Sequence, residues 1–328
     1  MAGDEKETDN IALIQMIDTV YILSAPRSGS TLLDMLLGSH PDTLPVGELD
    51  QLPKNIALNS RCSCGEPIRT CTFWQPVIDR LSAELGTDLR RQPYKLDLGY
   101  HRAGVEIDRA HQTSAYLARR FLAMGWFEAC DHARLSIAKS VLLAPFRHSL
   151  KHVMMVHRVL RELSGRRVIV DSSKSFRYAV SHYKLAPQTT RIVLLTRDGR
   201  GVLASHLRTG VTSAEAVRLW SRYYDRATGW IARNVDDRHA IRLRYEDLAA
   251  DPVARLNELC TWLGLEPSFR PNQPWSHSSH IANGNGMRLG PLKDVKLDER
   301  WRTELTEADL ASFRLSGGAM NRSLGYVE

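Results

Sequence analysis

No stretch of this chain approaches the run of about 18 consecutive apolar residues that a membrane-spanning helix requires, so a helical span is excluded. Five cysteines in 328 residues are too few for a small disulfide-stapled scaffold. Internal repeats, low-complexity tracts and runs of five or more like charges are also missing, which argues against a solenoid, a linker-like chain or an acidic or basic tail. Residues Met1–Asn10 are acidic and polar, where a secretion signal needs a basic start and an apolar run. Residues 1–18 therefore read as a flexible leader, residues 19–328 as one domain, and the expected location is cytoplasmic.

What is present is ordinary globular material, with 43% hydrophobic and 25% charged residues. The length allows one large domain or two ordinary ones. Lys and Arg number 44 against 37 Asp and Glu, a net charge of +7, which suits an anionic partner. The basic residues are scattered among acids, which favours a discrete anionic ligand over nucleic acid.

Val20 to Ala25 is a short apolar run of buried-strand type. It meets Pro26-Arg27-Ser28-Gly29-Ser30-Thr31, after which Leu32, Leu33, Leu36 and Leu37 recur at helical spacing. Strands are likewise expected over Arg167–Asp171, Arg191–Thr196 and Ala240–Tyr245, the first two leading directly into helices. Asp251-Pro252 supplies an N-cap followed by Pro at the first helical position. Strands alternating with helices imply an α/β fold whose parallel sheet binds ligands at the carboxyl ends of its strands. Trp74 to Leu163 reads as a helical insertion (about 74–163) covering the acceptor side of the sheet. Residues 267–291, rich in Pro, Gly, Asn, Ser and His, read as a long functional loop.

Residues 24–31 stand where a P-loop would. Amides around a glycine turn, with the positive end of the following helix, make an anion site. A nucleotide triphosphatase needs G-x-x-x-x-G-K-[ST] there. Here Ser24 replaces the first glycine and Ser30 the lysine, while Gly29 and Thr31 match and Arg27 adds a cation. That disfavours a kinase using ATP.

The stretch Arg27-Ser28-Gly29-Ser30-Thr31-Leu32-Leu33 resembles the 5'-phosphosulfate loop of the sulfotransferases that use 3'-phosphoadenosine-5'-phosphosulfate (PAPS), in the Arg-containing form of bacterial, carbohydrate and tyrosyl-protein members. Thr196-Arg197-Asp198-Gly199-Arg200-Gly201-Val202-Leu203-Ala204-Ser205 resembles the same family's 3'-phosphate motif. Both lie at strand-to-helix junctions, in the family's order. The resemblance implies a P-loop-type parallel sheet flanked by helices and PAPS as cosubstrate, with PAP released. It implies sulfuryl transfer to a hydroxyl of a small molecule, glycan or lipid, with no metal needed for the transfer. It assigns Arg27, Ser28, Gly29, Ser30 and Thr31 to the 5' side and Arg197 and Ser205 to the 3'-phosphate. Arg288, in the late Asn283–Gly290 loop, matches a basic loop that folds over the nucleotide. Rival readings are a P-loop kinase and a PAP-binding protein without turnover. Nucleic acid and a membrane span are not expected as partners, and a homodimer stays open.

Sulfuryl transfer needs a base for the acceptor hydroxyl and cations for the transferred group and leaving phosphate, by analogy with phosphoryl transfer. Arg27 and Lys174 are the candidate cations. Cytosolic members of the family place a histidine two residues after that lysine; here the position is Phe176, which takes no proton. Arg-loop members use a glutamate shortly after the first helix, and Ser39-His40-Pro41-Asp42-Thr43-Leu44-Pro45-Val46-Gly47-Glu48 shows their pattern. Glu48 is therefore the candidate general base and His40 its rival.

Cys62-Ser63-Cys64-Gly65 with Cys71 invites a zinc reading, but no fourth ligand is evident at suitable spacing. A local structural knot is preferred, with disulfide or metal left open. His148, His152 and His157 read as surface or acceptor-pocket residues. Trp220, Tyr223, Tyr224 and Trp230 read as the packed face of a helix.

Overall fold

The computed structural model describes residues 16–98, 147–275, 280–292 and 294–327. The leader up to residue 15 and residues 99–146 of the expected insertion lie outside the described residues.

Five parallel strands form the sheet: β1 Thr19–Leu23, β2 Thr43–Gly47, β3 Val168–Asp171, β4 Thr190–Thr196 and β5 Ala240–Arg244. Their order is β2-β3-β1-β4-β5, with β1 registered against both β3 and β4. Four of the five are the strands expected from the apolar runs. The fifth, β2, was not expected, because Pro45 and Gly47 interrupt its pattern. It is an edge strand, where a missing N–H costs little, and its ladder shifts register between Pro45 and Gly47.

Alternate residues of the central strands face opposite sides. Tyr21, Leu23, Ile169, Ile192 and Leu194 join one buried cluster with Trp74, Trp220 and Tyr224. Val20, Ile22, Val170, Val193 and Leu195 join another with Leu33, Leu36, Leu37 and Leu259. Burial on both faces is why these strands read as unbroken apolar runs.

The helices follow their caps. Asp198 accepts from the Arg200 N–H ahead of the helix Gly199–Leu207, and Thr212 from the Glu215 N–H ahead of Ser213–Asn234. Asp251 caps Pro252–Trp262 as the sequence predicts. The helix Ser213–Asn234 buries Trp220, Tyr224 and Trp230, and Tyr223 is packed against the same cluster.

Within the expected insertion, the helices Trp74–Leu85 and Arg147–Ser164 are seen, and both put residues into the sheet's first cluster. Along the second helix His148 is exposed and His152 half-buried. His157 corrects the surface reading: it is 1% exposed, lying 3.4 Å from both Thr19 Oγ1 and Asp171 Oδ2. The described part of 267–291 contains no regular element beyond the short turn Gly286–Leu289.

Candidate active site

Every strand delivers something to one rim. Beyond β1 comes the loop Ser24–Gly29; beyond β2, Glu48; beyond β3, Ser172-Ser173-Lys174; beyond β4, Arg197; beyond β5, Tyr245. Together they border a cleft of about 790 Å³, the size of a nucleotide-scale pocket. Its described lining holds six cations, Arg27, Lys174, Arg197, Arg208, Lys296 and Arg300, against Glu48, Asp294 and Asp298. This local excess is where part of the chain's net charge is concentrated.

The loop's shape follows from its residues. Gly29 sits at φ +97°, and a Cβ there would lie 2.7 Å from the Tyr245 ring. Arg27 also adopts positive φ, at 70°, a conformation uncommon for a residue with a side chain and often held at functional sites. Tyr224 fixes the loop from beneath: its hydroxyl donates to the Leu195 carbonyl at 2.7 Å, lies 3.0 Å from Ser28 Oγ and accepts from the Ala25 N–H. The helix Ser30–Leu37 then begins at the cleft, so its first N–H groups, which have no intrahelical acceptors, open on the anion site.

Lys174 joins the loop to the candidate base. Its Nζ donates to Ser30 Oγ at 3.1 Å and pairs with Glu48 Oε1 at 2.9 Å. Asp171 holds the turn that presents it, accepting from the Ser173 N–H at 2.8 Å. Two further carboxyls lie behind. Burial raises Asp34 to about 8, opposed by a hydrogen bond from Ser172 and by Lys174. Burial, and then the Glu48 charge, raise Asp50 to about 8. One oxygen of each is buried without a hydrogen-bond partner.

The stability consequence of Asp34 has a definite sign. Between its ordinary value of 3.8 and about 8, the folded chain holds a proton that the unfolded chain has released. Stability therefore falls as pH rises through that window and levels off above it. Asp34→Asn is expected to flatten the decline, so its Tm relative to wild type rises between pH about 5 and about 8. Parallel Tm–pH curves for the two proteins would contradict this.

Arg197 is 7% exposed and lies 4.4 Å from the Tyr245 ring centre. Its guanidinium donates to the Arg27 carbonyl at 3.0 Å and to Asp298 Oδ2 at 3.0 Å. Asp298 also receives Arg300 at 2.7 Å. Hydrogen bonds from Arg300, followed by those from Arg197, hold its carboxyl well below the usual range. Arg197 thus already carries an anion, a carboxylate on a planar fork of donors that equally fits phosphate. Ser205 lines the same cleft.

Of the residues singled out in the sequence, Arg27, Gly29, Ser30, Thr31, Glu48, Lys174, Arg197 and Ser205 converge here. Three placements differ from expectation. Ser28 is buried at 1% exposure beneath the loop, against Tyr224 rather than in the cleft. Arg288 turns away to donate to the Arg61 carbonyl at 2.9 Å, and its neighbours Gly284 to Met287 border the cleft instead. His40, the rival base, is 1% exposed; its Nε2 donates to the Glu266 carbonyl and its Nδ1 accepts from the Asp42 N–H. The late loop is tied down by Asn285 N–H donating to Thr31 Oγ1 and Glu48 N–H to the Asn283 carbonyl. Gly47 makes that contact possible: at φ +76°, a Cβ there would lie 2.1 Å from the Asn283 carbonyl oxygen.

Sequence reasoning missed Arg208, Lys296, Arg300 and Tyr245. Arg208 was within reach, being three residues after Ser205 and so on the same helical face. Lys296 and Arg300 lie in an aperiodic stretch with no motif to flag them.

The family model described as "Sulfotransferase family" matches residues 80–270, more than half the chain. The chain belongs to the sulfotransferase family. Carbohydrate sulfotransferase 1 of Danio rerio is 22% identical over 333 aligned positions, covering 88% of this chain and 72% of that protein. Carbohydrate sulfotransferase 5 of Mus musculus is 31% identical over 168 positions, covering 42% of this chain and 41% of that protein. Among solved structures, the sulfotransferase domain from the curacin biosynthetic pathway aligns with 95% of this sulfotransferase and 99% of that chain, at 18% identity and a TM-score of 0.48.

Proposed function

We propose that this sulfotransferase takes its sulfuryl group from PAPS and delivers it to an acceptor hydroxyl, releasing PAP. The observation that carries the reading is Lys174, bridging Ser30 in the anion loop and Glu48 across the cleft. That bridge joins a cationic donor seat to a carboxylate able to take a proton.

The residues present fit the donor. Arg197 and Ser205 would hold its 3'-phosphate, and the loop amides with Ser30 and Thr31 its 5' end. A bound donor supplies the activated sulfuryl group. Arg27 and Lys174 stabilise negative charge on that group and on the departing phosphate. Glu48 Oε accepts the acceptor's proton as its oxygen attacks. Engagement of Lys174 with the donor relaxes its hold on Glu48, freeing a carboxylate oxygen for the acceptor. Asp298 gives up Arg197 to the phosphate, an exchange of one anion for another on the same fork.

The names of the relatives support a glycan hydroxyl as acceptor, and a small-molecule or lipid hydroxyl is the other class the reading admits. Thermal shift with PAP, PAPS, ATP and magnesium ATP tests the donor. Stabilisation by PAP and PAPS is expected; stabilisation by ATP alone would overturn the reading.

A further inference from the structure

The short segment from Cys62 to Trp74 meets the late loop at His280 in a knot outside the cleft, with a chemistry of its own. Cys62, Cys64 and Cys71 converge with His280, their four ligand atoms all within 4.8 Å of one another. The fourth ligand that the sequence does not reveal is thus a histidine more than 200 residues away, brought in by the late loop. The cysteines are not disulfide-bonded: Cys64 Sγ and Cys71 Sγ are 3.6 Å apart, against about 2.05 Å in a disulfide.

We propose that Cys62, Cys64, Cys71 and His280 bind a structural zinc ion that locks the late loop against the Cys62–Cys71 segment. A tetrahedral zinc with the usual bond lengths separates its ligands by about 3.8 Å between sulfurs and about 3.5 Å between sulfur and nitrogen. The separations here are 3.6 Å for Cys64–Cys71, 3.7 Å for Cys62 Sγ–His280 Nδ1 and 3.3 Å for Cys71 Sγ–His280 Nδ1. The ligand set is thiolate-rich and closed, the pattern of structural rather than catalytic zinc.

The surroundings hold these ligands in place. Cys62 N–H donates to the Glu66 carbonyl and Gly65 N–H to the Cys62 carbonyl, making the tight turn that carries Cys64. Trp74 Nε1 donates to the His280 carbonyl at 2.8 Å, Ile281 N–H donates to Ser63 Oγ at 2.9 Å, and Phe73 stacks on the imidazole. Such backing orients a ligand before the metal arrives. Binding replaces three thiol protons with one Zn²⁺ and leaves the cluster with one net negative charge. Arg288 is the cation beside it: its guanidinium donates to the carbonyl of Arg61, the residue before Cys62, and its Nε is buried without a hydrogen-bond partner. The zinc would therefore fix the segment that runs from His280 through Asn283 to Asn285, which touches Glu48 and Thr31.

The test uses the full chain purified from zinc-supplemented medium and dialysed against metal-free buffer. Plasma mass spectrometry is expected to find about one zinc per chain, released in equal amount when an organomercurial titrates the thiols. Cys64→Ser, at the exposed ligand, and His280→Ala are each expected to lose the zinc. Should those variants fail to fold, cobalt-substituted wild type decides, with thiolate-to-cobalt charge transfer and tetrahedral d–d absorption expected. Metal-free protein with three free thiols, a Cys64–Cys71 disulfide in native peptide maps, or cobalt without thiolate charge transfer would overturn the proposal. So would zinc retained equally by both variants.

Discussion

Glu48→Gln is expected to bind PAP within about threefold of wild type, ~0.7 kcal/mol, while turnover falls by about 10²–10⁴-fold. The amide keeps the shape and can still accept a hydrogen bond from Lys174, so the donor seat survives; what disappears is the group that takes the proton. Glu48 follows β2 directly, and its N–H donates to the Asn283 carbonyl, so the backbone that aims it does not depend on its charge. The loss should fall on kcat rather than on KM for the donor, because a base acts only as the acceptor oxygen attacks. Glu48→Asp, which retains the carboxylate on a shorter arm, should recover part of the activity. Isothermal titration with PAP, beside steady-state kinetics, separates the two quantities. Wild-type turnover in Glu48→Gln would remove Glu48 as the base.

Arg197→Ala is expected to produce the opposite split. Truncating one partner of a buried, hydrogen-bonded charge pair costs about 2–5 kcal/mol, so PAP affinity should drop by at least ~30-fold. Arg197→Lys should fall between, because an ammonium keeps the charge without the planar fork. Arg197 also donates to the Arg27 carbonyl and to Asp298, so part of the loss will come through the loop itself. Adenosine 5'-phosphosulfate, which lacks the 3'-phosphate, separates these contributions: its weaker binding should change far less than that of PAP. Equal losses for both ligands would assign Arg197 to loop structure rather than to the 3'-phosphate.

The sheet was legible wherever a strand is buried on both faces, because Val20–Leu23, Val168–Val170 and Ile192–Leu195 had no solvent side to encode. It was illegible at β2, where an edge position tolerates Pro45 and the residue that matters is the Glu48 just beyond the strand. The anion loop was legible because Gly29 and its small neighbours meet a local steric demand visible in consecutive residues. Arg288 was misplaced because a motif match fixes a backbone position, not the direction of a long side chain, and the Arg61 carbonyl lies the other way. Asp298 and Arg300 were invisible because Asp298 meets Arg197 across about 100 residues of chain, and Arg300 is held by Asp298 in a stretch with no motif. The Cys-His cluster failed for the same reason: three of its ligands are local, but His280 arrives only when the late loop bridges to Gly47 through Asn283.

Transfer from labelled PAPS to a panel of glycan, small-molecule and lipid hydroxyls bears most directly on the central claim. The expected result is labelled acceptor and PAP in equal amounts, with no added metal needed for turnover. A panel that stays unlabelled from PAPS, with phosphate transferred instead from magnesium ATP, would contradict it.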